Sequence, residues 1–104
     1  MSMRIDMVPV VDFDEMLTEL GKDSIQDFYF YNRADEYDGY FWVNTDEDAI
    51  LDLEHEIESD IEFCKRINAE PDETFLNTIR NDIALIKLFR DLGHTDGILI
   101  YVYN

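Results

Sequence analysis

The chain is poor in the residues that build covalent or metal-held scaffolds. Its 104 residues include one cysteine, two histidines, two prolines and four glycines. A single cysteine, Cys64, excludes an intramolecular disulfide, and no Cys/His cluster has the spacing of a structural zinc site. A reducing cytoplasm is therefore the expected compartment. Basic residues are scarce as well: 8 Lys and Arg stand against 25 Asp and Glu, for a net charge of -17. Such a surface repels nucleic acid and anionic membranes and favours basic partners, so direct binding to either polyanion is not expected. No apolar run approaches the ~18 residues of a membrane span. Residues 1–11 hold one arginine and a short apolar run broken by Pro9, with no small-residue cleavage site, so no signal peptide is expected.

What is present argues for a folded chain. Apolar residues make up 46% and aromatics 13% of the sequence, enough to offset the conformational entropy of folding, unlike a disordered acidic tail. At this length one domain spanning residues 1–104 is the simplest organisation. No internal repeat, low-complexity linker or composition shift marks a second.

The pattern predicts four strands and three helices. Arg4 to Val11 is rich in β-branched residues, and Pro9 places this strand at a sheet edge or near a bulge. Asp12 with Glu15 resembles a capping box, followed by Phe13, Met16, Leu17 and Leu20 at helical spacing and a stop at Gly21. Ile25–Asn32 and Tyr40–Asn44 are aromatic, β-prone runs joined by the polar connection 33–39, which predicts a hairpin with a longer loop. Thr45 is the expected N-cap of the second helix, where Ile50, Leu53, Ile57, Ile61, Cys64 and Ile67 recur at steps of three and four. Pro71 sits near the start of a third helix that ends before Gly93. Its apolar band, from Phe75 to Leu92, is wide enough for a central helix. A last strand follows in residues 96–104. The expected fold class is α+β, in β-α-β-β-α-α-β order, with a mostly antiparallel four-stranded sheet and helices on one face.

Two surfaces stand out. By strand alternation, Phe28, Phe30, Phe41, Val43, Ile98, Ile100 and Val102 would face the helices. Tyr29, Tyr31, Tyr40, Trp42, Leu99, Tyr101 and Tyr103 would share the opposite face. Either a helix covers that face or it is an interface for a partner or a homodimer. The second surface is the segment 45–63. Between Asp46 and Glu62 it has nine carboxylates and no lysine or arginine. Asp48, Asp52, Glu56 and Asp60 form one row beside the apolar stripe, and Glu54, Glu58 and Glu62 another. At 1.5 Å per residue this is roughly one charge per 2.8 Å, against about one phosphate per 3.4 Å on a DNA strand. Five like-charged i, i+4 pairs cost the helix about 1–2.5 kcal/mol before salt screening. The first-turn acids have a structural reason, because helix N-termini favour negative charge. The six from Asp52 to Glu62 do not. A solvated face is the plainer explanation, but lysines would solubilise equally well and form favourable pairs. The same bias continues in Asp35, Glu36 and Asp38.

Catalytic and metal chemistry find little to use. The run from Asp35 to Gly39 fails as a calcium loop, because Ala34 and Thr45 fall where ligands are needed. Asp52 with His55 and Asp91 with His94 have the spacing of a carboxylate–histidine metal pair, but His94 follows Gly93 and so falls off the helix, and His55 is expected in solvent on the acidic helix. The segment from His55 to Ser59 lacks the second histidine of a zincin motif. Cys64 lies in the apolar stripe, as a small hydrophobe would. Neither an enzyme nor a cofactor is expected.

In size and charge the chain resembles the acidic DNA-mimic proteins that phages and mobile elements use against restriction or CRISPR nucleases. That resemblance carries no individual residues over. It implies an inhibitor whose carboxylates meet the phosphate-binding Lys and Arg of a nuclease or other basic nucleic-acid-binding protein. An immunity protein or antitoxin neutralising one nuclease toxin needs the same charge and a more aromatic interface. An acidic adaptor or structural protein is the third expectation.

Overall fold

In a computed structural model, residues 6–9, 17–18, 20–21, 25–32, 36–37 and 40–101 are described. Strand β1 spans Asp6–Pro9. A single 3-10 turn at Ile25–Asp27 leads into the short helix α1, Tyr29–Asn32. Strands β2 (Glu36–Tyr37) and β3 (Tyr40–Val43) precede two long helices, α2 (Glu47–Arg66) and α3 (Glu73–Asp91), and β4 (Ile98–Tyr101) follows them. The strands lie in the order β1-β4-β3-β2, with β1 parallel to β4 and the other neighbours antiparallel.

This corrects the expected fold class. The anticipated sheet of four substantial strands gives way to a helix-dominated fold, with strands of four, two, four and four residues beside helices of 20 and 19. The decisive difference is Ile25–Asn32, expected as a strand and found as a 3-10 turn followed by α1. Its physical cause lies 53 residues away in sequence. The Asp82 carboxylate accepts the backbone N–H groups of Tyr29 (2.7 Å) and Phe30 (3.1 Å), the orphan donors of a helix start. Asn81 Nδ2 donates to the Asp27 carbonyl at 2.6 Å and holds the preceding turn to α3. Tertiary contacts thereby outweigh the β-propensity of an aromatic run. The strand taken from Glu36–Tyr37 is a second difference, since those residues were expected in a loop.

The long helices end as their sequences dictate. Asp46, not the expected Thr45, caps α2: its Oδ1 accepts the Ala49 N–H at 3.0 Å. Thr45 is instead fully buried, with no partner for its hydroxyl among the described residues, and its carbonyl accepts from Arg90 Nη1 at 2.8 Å. The end of α2 is closed by Asn68 at φ 58°, with Ala69 N–H donating to the Cys64 carbonyl (2.8 Å) and Asn68 N–H to that of Lys65 (3.2 Å). Gly93 and His94 repeat this pattern at the end of α3, donating to Arg90 and Phe89. Asp72 caps α3 immediately after Pro71.

The core joins α3, α1 and one side of the sheet. Phe28, Phe30, Phe41, Val43, Ile98 and Ile100 are buried together with Leu53, Ile79, Leu85, Ile86 and Phe89. Of the residues expected to face the helices, these six do so, although Phe28 and Phe30 reach the core from a bend and a helix; Val102 lies outside the described residues. In the expected first helix, Leu17 and Thr18 are helical and Leu17 is buried, while the remainder of 12–16 lies outside the described residues. Gly97 has φ +129°, and a Cβ there would lie 2.2 Å from the Trp42 ring, so only glycine lets the indole pack against β4.

Candidate functional site

Helix α2 presents its carboxylates largely as the spacing predicts. Asp48, Asp52, Glu54, Glu58 and Glu62 are exposed, and Glu56 and Asp60 are half-buried. Among the described residues, none of the seven forms an ion pair. Among the described cations, Lys87 is exposed on α3 without an ion pair, and the others are engaged elsewhere or stand at helix ends. Arg80 bridges Glu73 at 3.3 Å within α3, Arg90 holds the Thr45 carbonyl, and Lys65 and Arg66 occupy the last turn of α2, where the helix dipole favours them.

The structure separates the two acidic rows. Glu54, Glu58 and Glu62 face solvent alone. Asp52 and Glu56 instead line a half-open cavity of about 590 Å³ between α1, the end of β3, α2 and α3. Its other lining residues are Tyr29, Phe30, Trp42, Val43, Asn44, Ala49, Leu53, Asp82 and Ile86. The Tyr29 hydroxyl donates to Glu56 Oε1 at 2.5 Å, a charge-assisted bond that fixes one oxygen of that carboxylate. The Tyr29 ring meets Phe75 edge-on with centroids 5.7 Å apart.

The proposed tyrosine face is rearranged by the helical turn at α1. Tyr29 and Tyr31 are not on the sheet: they are half-buried on α1, with Tyr31 stacked obliquely on Phe41 at 5.4 Å. Backbone register places Tyr40 opposite Tyr101 and Trp42 opposite Leu99. Glu36 pairs with Phe41 in the β2–β3 ladder. Asp35, Asp38 and Tyr103 lie outside the described residues.

Two features escaped the pattern. Asp82 is only 4% exposed, a carboxylate on the buried stripe of α3. Its position three residues from both Ile79 and Leu85 marks it in the sequence as a lone acid on an apolar stripe, which calls for a buried hydrogen-bond partner. The second is the far end of α2, where Phe63 (52% exposed) and Ile67 (56%) are uncovered although Ile67 continues the helix's apolar spacing. Cys64 beside them is half-buried. Desolvation and the Asp60 carboxylate one turn earlier push its thiol above its ordinary pKa, so it stays protonated and weakly nucleophilic at neutral pH.

No group of three or more His, Cys, Asp and Glu is placed to hold a metal among the described residues, and no helix there is long and apolar enough to cross a membrane. Comparison with protein-family models, curated proteins and solved structures finds no match to this chain.

Proposed function

We propose that the protein is a small acidic inhibitor that occupies the nucleic-acid site of a basic protein, presenting carboxylates where phosphates would lie. This is the mode of the phage and mobile-element inhibitors of restriction or CRISPR nucleases. One observation carries the proposal: the exposed face of α2 holds carboxylates of a single sign without a cationic partner among the described residues. Successive members of a row stand about 6 Å apart along the axis, a rigid track to which a partner's Lys and Arg can dock. Association is steered by charge, fast at low salt and weakened by screening. No catalytic step is part of this proposal.

The test is capture of DNA-binding proteins from a lysate by immobilised wild type and by Glu54→Lys/Glu58→Lys/Glu62→Lys, whose changes touch solvent alone. The expected result is a nucleic-acid-binding partner that is released by added duplex DNA or by salt and is lost with the charge-reversed variant. Capture that is indifferent to the reversal, or a partner with no nucleic-acid site, overturns the proposal.

A further inference from the structure

The cavity beside α2 has an unusual lining. Tyr29 and Trp42, with the buried Phe30, Val43, Ala49, Leu53 and Ile86 behind them, line it together with Asn44 and three carboxylates, so that polar surface exceeds apolar, and no lysine or arginine is among them. Asp82 is committed to the N–H groups of α1 and contributes its charge at the inner end. Glu56 has one oxygen held by Tyr29. Asp52, one helical turn away, has no hydrogen bond or ion pair among the described residues. An anion is repelled from such a site, and a neutral ligand can donate hydrogen bonds to the acids but gains no coulombic attraction from them. A bare metal ion needs converging oxygens, which this lining does not offer. What fits is an organic cation with an apolar stem: the stem covers the hydrophobic wall while the charged head meets Asp52 and Glu56.

We infer that this cavity receives the guanidinium group of an arginine side chain from the protein's partner. Guanidinium is favoured over ammonium because its planar fork offers several donors to acceptors on successive helical turns and stacks on aromatic rings, whereas ammonium is a compact, strongly hydrated point charge. The inference rests on the proposed function and sharpens it. The outer row of α2 attracts a basic surface in general, and the cavity anchors one residue of it, as buried arginine anchors do at interfaces.

The test uses the full chain and Trp42, its single tryptophan, as reporter at the cavity wall. N-acetyl-arginine methylamide is titrated at constant ionic strength beside its neutral citrulline counterpart and the lysine analogue. Binding is confirmed by calorimetry and folding by circular dichroism. The expected result is a saturable change with the arginine compound, none with citrulline and a weaker response with lysine. Affinity should fall about tenfold in Asp52→Asn or Glu56→Gln, the loss of one charge-assisted contact, and stay unchanged in Glu70→Gln, at an exposed acid outside both acidic rows and the cavity. Glu56→Gln keeps an acceptor for Tyr29, so its fold is retained. An equal response to citrulline or lysine, a response that does not saturate, or one insensitive to both cavity variants overturns the inference. The two proposals fail separately. Charge-dependent capture without arginine binding removes the cavity anchor alone. Arginine binding with capture indifferent to Glu54, Glu58 and Glu62 removes the nucleic-acid mimicry alone.

Discussion

Helices α2 and α3 are nearly equal in length and pack against one another, yet they divide the molecule's tasks unequally. Helix α3 buries Leu76, Ile79, Asp82, Leu85, Ile86 and Phe89, while α2 buries Ala49 and Leu53. The acids follow the same division. The buried one, Asp82, organises α1 through two backbone hydrogen bonds, whereas those of α2 are exposed or half-buried and only Glu56 has a partner among the described residues. A helix that supplies little of the core can carry a costly charge pattern, because the fold does not depend on its solvent face. The contrast teaches where folding ends and recognition begins.

The strongest way to break this comparison is truncation on each helix. Phe89 is fully buried, so Phe89→Ala should cost about 3–5 kcal/mol in urea denaturation. Ile61 on α2 is half-buried, so Ile61→Ala should cost about 1 kcal/mol. Equal losses would show that α2 supports the core as fully as α3 does. Next in size is a comparison of acids. Asp82→Ala removes the acceptor for two backbone donors and should cost about 2–4 kcal/mol: hydrogen bonds to a charged group contribute roughly 1.5–3 kcal/mol each, and relief of the buried carboxylate's desolvation offsets part of their sum. Far-ultraviolet circular dichroism should also register the loss of α1. Asp60→Asn on α2 should change stability by less than about 0.5 kcal/mol. A small effect at Asp82 would mean that α1 starts without it.

How much of this was legible from sequence follows the same line. Helices α2 and α3 could be read because apolar residues at steps of three and four make a long, redundant signal, and Gly93 marks the end of α3 where the chain turns left-handed. The acidic rows could be read because helical geometry fixes them once the helix is known. Ile25–Asn32 could not: Phe28 and Phe30 are buried while Tyr29 and Tyr31 are half-buried, a two-residue alternation that looks like a strand. The contact that decides otherwise comes from Asp82, on an element far along the chain. The α2 cap moved by one residue because Thr45 is drawn into the core, leaving Asp46 to take the end of the helix. The cavity was not legible at all, since it joins four elements whose juxtaposition no local pattern encodes.

The charge reversal on α2 has a smaller expected effect than either truncation on α3 and bears most directly on function. Glu58 lies in the outer acidic row, exposed and without a partner among the described residues. Glu58→Lys converts two like-charged i, i+4 pairs, with Glu54 and Glu62, into attractive ones. The pair with Glu54 has the more favourable order, acid before base, and the pair with Glu62 the weaker one. Each pair passes from roughly 0.2–0.5 kcal/mol unfavourable to a similar amount favourable, so stability should rise by about 0.8–2 kcal/mol at low salt, and the gain should shrink as salt is added. The same variant should weaken partner capture. A single substitution that improves folding while harming binding would separate the two demands on α2, because an acid retained only for solubility has no reason to be held against its neighbours' repulsion. If Glu58→Lys stabilises the protein and captures its partner as well as wild type does, the acidic face is a solvated surface and the comparison between the helices concerns burial alone.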